Sequence, residues 1–133
     1  VGRDAYLALG ALILQKYRRR PIDVVFIGKS IGTVVCAAYA KRHGLRCRQI
    51  LFTPVEEVFR VADGNVIAFH GTSDPWADTV SIRENCRRTG IPLYETEGAN
   101  HSLETGDVDR DIKEMRKVMK IVKEYAQSDQ PIE

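Results

Sequence analysis

Asp23-Val24-Val25-Phe26-Ile27-Gly28-Lys29-Ser30-Ile31-Gly32 is the stretch on which the fold turns. Its first half is β-branched and aromatic without interruption, the pattern of a strand buried on both faces. Its second half, Gly-x-Ser-x-Gly, leads directly into a small-residue segment from about Ile31 to Arg42, which reads as a helix with Gly44 as its C-cap. A serine on so tight a strand-to-helix turn takes a strained backbone, and small residues two positions away, Gly28 and Gly32, keep its neighbours from clashing. The helix beginning beside it offers unpaired N–H groups to a developing oxyanion. Gly-x-Ser-x-Gly alone is a weak signal, because both residue types are common. Its place between a buried strand and a small-residue helix makes it more specific.

The same alternation extends in both directions. Upstream, Tyr6, Leu7, Leu9, Ile13, Leu14 and Tyr17 place a helix over residues 4–19, stopped by Pro21. Downstream, residues 48–52 read as a strand ended by Thr53-Pro54, and residues 55–61 as a short helix. Residues 65–70 follow the Asp63-Gly64 turn as a strand, and residues 78–88 form a helix with Asp78 as N-cap. Residues 91–95 read as the last strand. Residues 107–126 form a long amphipathic helix whose apolar face runs through Ile112, Met115, Val118, Met119, Val122 and Tyr125. The tail from Gln127 reads as loose. Strand and helix in alternation predict an α/β architecture, a mostly parallel sheet of about four strands flanked by helices. The 133 residues suffice for a single domain, residues 1–133.

Composition narrows the function classes. With 44% hydrophobic and 29% charged residues the chain is ordinary for a globular protein. Its net charge of +2 gives no electrostatic footprint for nucleic acid, and no apolar run reaches transmembrane length. Arg18-Arg19-Arg20 and Arg87-Arg88 sit at expected helix ends, where the helix dipole accounts for them. Cys36, Cys47 and Cys86 are odd in number and lack metal-ligand spacing, which predicts no disulfide framework and a cytoplasmic setting. Cys36 lies in an apolar helix stretch and reads as core. No spacing of His, Asp or Glu predicts a metal, and no cofactor is expected.

In parallel sheets of this kind, ligands sit outside the carboxyl ends of the strands. Three such ends carry chemistry: Gly28 to Gly32, His70-Gly71-Thr72-Ser73-Asp74-Pro75, and Glu97-Gly98-Ala99-Asn100-His101-Ser102. Together they place Ser30, Asp74 and His101 in that chain order.

On these residues the sequence resembles the α/β-hydrolase fold family, the serine hydrolases and esterases of dienelactone-hydrolase-like type. The matches are the elbow at Gly28–Gly32, "HGTSDPWAD" from His70 and "GANHSLE" from Gly98, and the resemblance runs from about Asp23 to Tyr125. It implies Ser30 as nucleophile, His101 as general base and then acid, Asp74 as its orienting carboxylate, and the Ile31 N–H as an oxyanion donor. The implied reaction is hydrolysis of a small-molecule ester or thioester through an acyl-enzyme. The implied partner is that acyl substrate, with neither nucleic acid nor membrane expected. Lys29 and Trp76 are candidates to line the substrate site, although Trp76 could equally anchor its loop.

The pattern departs from the family in two ways. The strands that precede the elbow strand have no counterpart here, and neither has the early loop that supplies a second oxyanion donor. The opening valine and helix fit a chain that begins in mid-protein, the carboxy-terminal half of the fold. A sheet edge at the elbow strand would then pair with the missing segment or with a second copy. Other readings stay open: a non-catalytic binding or assembly domain, or an acyltransferase. Asp78 is an alternative acid, but its capping role already accounts for it. His70 and His43 read as structural. Gly28-Lys29-Ser30 is no phosphate loop, since that motif needs a glycine where Asp23 stands.

Overall fold

A computed structural model of the chain describes residues 24–128. The helix expected over residues 4–19 lies outside the described residues. Four strands, β1 (Val25–Lys29), β2 (Arg48–Phe52), β3 (Val66–Gly71) and β4 (Leu93–Thr96), form one sheet in the order β1-β2-β3-β4. Every neighbouring pair is parallel, with Ile27 opposite Ile50, Ile50 opposite Ile67 and Phe69 opposite Tyr94. Each crossover therefore has to travel over a face of the sheet. Helix α1 (Ile31–Arg42) makes the first, a short 3-10 helix (Glu56–Arg60) the second and α2 (Thr79–Thr89) the third. Helix α3 (Val108–Ala126) closes the chain.

Successive residues on a strand point to opposite faces, and the core divides accordingly. Leu51, Val66 and Ala68 face Ala37 of α1 and Ile82 and Cys86 of α2. Ile50, Ile67 and Phe69 face Val118 and Val122 of α3. All six residues of β3 are buried, as befits an inner strand. In α1 the small side chains Ala37 and Ala40 let the helix lie close on β1 and β2, and Phe26 meets Tyr39 edge-on at 6.1 Å. Asp78 caps α2 by accepting from the Ser81 N–H at 2.9 Å, and Gly90 ends that helix in the left-handed region.

Three expectations need correction. The elbow strand is not buried on both faces, since Ile27 is 59% exposed, while the sheet edge expected at it is present among the described residues. The apolar face of the last helix is only half covered, with Val118 and Val122 buried but Ile112, Met115 and Met119 exposed. The start of the tail is tied down, because Gln127 caps α3 and the Ser128 carbonyl accepts from Arg48 at 2.6 Å.

Candidate active site

The parallel arrangement brings the carboxyl ends of β1, β3 and β4 to one end of the sheet, each followed by a loop that carries one of the three residues. Ser30 follows β1 directly. Its backbone is at φ 54, ψ −123, a region where an L residue is strained. The strain is held from both sides: the Ser30 N–H donates to the Phe52 carbonyl at 3.0 Å, and its carbonyl accepts from the Thr33 N–H (3.0 Å) and hydroxyl (2.6 Å). Gly28 is required by close approach, since a Cβ there would stand 2.6 Å from the Gly32 carbonyl oxygen and 2.9 Å from the Thr33 Cα. Gly32 is not so constrained: a Cβ there meets nothing within 4 Å. The expectation that both glycines prevent clashes therefore holds for Gly28 alone.

The loop after β3 presents Asp74, whose side chain is fully buried. Its Oδ1 accepts from the Trp76 N–H at 2.8 Å, and its own N–H donates to the Gly71 carbonyl at 3.0 Å. The loop after β4 presents His101. Asn100 Oδ1 accepts from the N–H groups of Ser102 (2.8 Å) and Glu104 (3.1 Å), and Leu103 sits at φ 60. The two loops are stitched together: the Ser73 N–H donates to the Ala99 carbonyl at 2.9 Å, and the Gly98 N–H donates to the Thr72 hydroxyl at 2.8 Å. A Cβ on Gly71 would come within 2.4 Å of the Ala99 carbonyl oxygen, so only glycine admits this approach.

The result is a continuous chain of hydrogen bonds. His101 Nδ1 lies 2.8 Å from Asp74 Oδ2, and His101 Nε2 lies 2.8 Å from Ser30 Oγ. A carboxylate can only accept, so Nδ1 carries the proton and Nε2 is left to accept from the serine hydroxyl. The imidazole is thereby set to take a proton from Ser30 (general-base geometry). Ile31 opens α1, so its N–H is among those a helix cannot pair internally and stands next to the serine. Asp78, the alternative acid, is occupied as a helix cap.

Lys29 and Trp76 border the same site. Lys29 Nζ donates to the His101 carbonyl at 3.1 Å. The Trp76 ring lies 5.9 Å from the imidazole of His101, centroid to centroid, at an interplanar angle of 43°. His70 is fully buried and stays out of the chain: its Nε2 pairs with the Thr79 hydroxyl at 2.8 Å, and burial pushes its pKa down. Thr79 donates in turn to the Thr72 carbonyl at 3.2 Å. Among the described residues, no group of three or more His, Cys, Asp or Glu could hold a metal ion.

Sequence reading missed Thr53, a buried residue at φ 43 where β2 ends. The non-glycine residues described with positive φ are Ser30, Thr53 and Leu103, all beyond the carboxyl ends of strands. Strained backbone of this kind gathers at functional sites.

No family model and no curated protein matches the sequence. Solved structures do match. A member of the α/β serine hydrolases without a lid, from Xanthomonas campestris, matches with a TM-score of 0.69 at 16% identity, over 92% of this chain and 57% of that one. Est1E from Butyrivibrio proteoclasticus, solved with ferulic acid bound, gives 0.66 at 11% identity, over 92% of this chain and 70% of that one. An α/β serine hydrolase homologue from Coxiella burnetii gives 0.64 at 14% identity, over 86% and 55%. These likenesses define the fold: the chain carries a partial α/β-hydrolase fold, and it spans between 55% and 70% of the length of these neighbours.

Proposed function

We propose that this chain carries the catalytic half of a serine hydrolase that cleaves a small-molecule ester or thioester. The supporting observation is the pair of 2.8 Å contacts that run from Ser30 Oγ through His101 to Asp74. In this reading Ser30 Oγ attacks the acyl carbon while His101 Nε2 takes its proton. The tetrahedral oxyanion is met by the Ile31 N–H. Collapse breaks the bond to the leaving group, which receives the proton from His101. Water, deprotonated by His101, then releases the acid and restores Ser30. Asp74 keeps the imidazole in the required tautomer and stabilises its charged form.

The short passage from Thr53 to Asn65, which holds only the 3-10 helix, leaves no room for a large lid and supports an open site for small or exposed acyl groups. The three free cysteines support a reducing, cytoplasmic setting. Among the described residues β1 is a sheet edge, and Ile27 on it is exposed, which supports pairing of that edge with a further segment or a second copy. The test is turnover of short p-nitrophenyl esters and acyl thioesters by the chain and by Ser30→Ala. Hydrolysis abolished by the substitution supports the reading; equal rates in both proteins overturn it. One identified oxyanion donor favours a second reading, a binding domain on the same fold, in which ligand binding survives Ser30→Ala with no turnover in either protein.

A further inference from the structure

Trp76 stands out among the large apolar side chains of the site end of the sheet. It is the only tryptophan in the chain, and it is 73% exposed. That exposure does not come from a loose loop. Pro75 restricts the backbone before it, its own N–H is bonded to Asp74 Oδ1 at 2.8 Å, and Ala77 after it is buried. A fixed backbone therefore presents a wide aromatic face to solvent beside the imidazole of His101. Ile31, next to the nucleophile, is 62% exposed, and Val80 on the first turn of α2 is exposed as well. Apolar side chains left uncovered at one end of a sheet, around a polar site, mark a ligand surface.

The direction of the chemistry says which part of a substrate meets that face. This step rests on the hydrolase reading above. His101 Nε2 returns the proton to the departing oxygen or sulfur, so the leaving group must lie on the His101 side of the acyl carbon. The oxyanion points instead toward the Ile31 N–H. Trp76 is on the His101 side, 5.9 Å between ring centroids. We propose that Trp76 forms an aromatic subsite for the leaving group, so that the preferred substrates are esters or thioesters of alcohols or thiols bearing a planar ring close to the scissile bond. The reaction balances without a further reactant: an arylmethyl ester and water give the carboxylic acid and the arylmethyl alcohol, with the serine proton passing through His101 to the alcohol oxygen.

The test separates ring stacking from bulk hydrophobicity. Benzyl acetate and cyclohexylmethyl acetate have similar size and leaving-group chemistry, but only the first has a π face. The full chain is expected to show a higher kcat/KM for the benzyl ester by roughly two- to tenfold, the range that aromatic pairing supplies. The ratio should fall toward one in Trp76→Ala and stay mostly intact in Trp76→Phe. Because Trp76 is the single indole, benzyl alcohol binding to Ser30→Ala should also change its fluorescence, with cyclohexylmethanol giving a much weaker response. An unchanged ratio in Trp76→Ala, with no benzyl-selective fluorescence response in Ser30→Ala, overturns the subsite while leaving the hydrolase reading intact. A benzyl-selective response in Ser30→Ala, with no ester turnover by the unsubstituted chain, keeps the subsite and overturns the hydrolase reading instead.

Discussion

The ammonium of Lys29 donates to the main-chain carbonyl of His101 at 3.1 Å and so fastens the histidine loop to the strand end that carries Ser30. Lys29 is the last residue of β1, immediately before the serine, so its backbone moves with the elbow. An exposed hydrogen bond of this type contributes little to global stability. Its leverage is on geometry, because a shift of about 1 Å between nucleophile and base can cost on the order of a hundredfold in rate. Lys29→Met is expected to slow modification of Ser30 by a fluorophosphonate roughly three- to thirtyfold with little change in melting temperature, and Lys29→Arg to restore most of it. Labelling of Lys29→Met within twofold of the parent would show that the bond does not position His101.

In the proposed hydrolase reading Asp74 rather than Asp78 orients His101, since Asp78 is committed to capping α2. Asp74→Asn preserves shape but offers an amide N–H where His101 Nδ1–H must be accepted, which favours the wrong imidazole tautomer. Steady-state ester hydrolysis should fall by roughly 10³- to 10⁴-fold, as such changes do in serine hydrolases. Asp78→Asn should stay within a few fold of the parent, because asparagine also caps helices.

The two elbow glycines should respond in opposite ways. A methyl at Gly28 would meet backbone atoms at 2.6 to 2.9 Å, and backbone cannot step aside cheaply. Gly28→Ala is therefore expected to cost about 1–3 kcal/mol in denaturant titration and to disable the serine. Gly32, in the first turn of α1, faces open space. Gly32→Ala should be neutral or stabilise by up to about 1 kcal/mol, the gain of alanine over glycine in a helix.

His70 makes stability depend on pH. It is fully buried with Nδ1 unpaired, and burial is the main cause that pushes its pKa below the usual value; Asp74 and Glu95 act in the opposite sense. A histidine harder to protonate when folded favours the native state fully above its unfolded pKa, about 6.5. That contribution is lost as pH falls from there through the lowered folded value, because the unfolded chain takes up the proton first. The unfolding free energy from urea titration is expected to drop between pH 7 and 5.5, by at most about 1.4 kcal/mol per pH unit from this group. A His70→Asn variant should show a correspondingly shallower fall. Parallel profiles would assign the loss to other groups.

Much of this was legible because the signals were local. Continuous apolar runs pointed to the parallel strands, Asp78 marked the start of α2, Gly44 stands one residue past the His43 cap of α1, and three loops placed Ser30, Asp74 and His101 beyond strand ends, where they now lie within hydrogen-bond distance of one another. What escaped depends on neighbours that a local pattern does not encode. Val25-Phe26-Ile27 has the composition of a strand covered on both faces, yet Ile27 is exposed. Helical period fixed the apolar side of α3 but not how far the sheet reaches beneath it, so the exposure of Met115 and Met119 on that side was not legible. Thr53 precedes a proline, which favours extended backbone, and nothing in the sequence announced φ 43. The contact of Lys29 with a carbonyl 72 residues away has no sequence signature at all.

The central claim is that Ser30 is an activated nucleophile, and intact-protein mass spectrometry after exposure to a fluorophosphonate tests it most directly. A single adduct on the folded chain, absent in Ser30→Ala and strongly reduced in His101→Ala, is the expected result. A folded chain that stays unmodified under conditions that fully label a known serine hydrolase would contradict it.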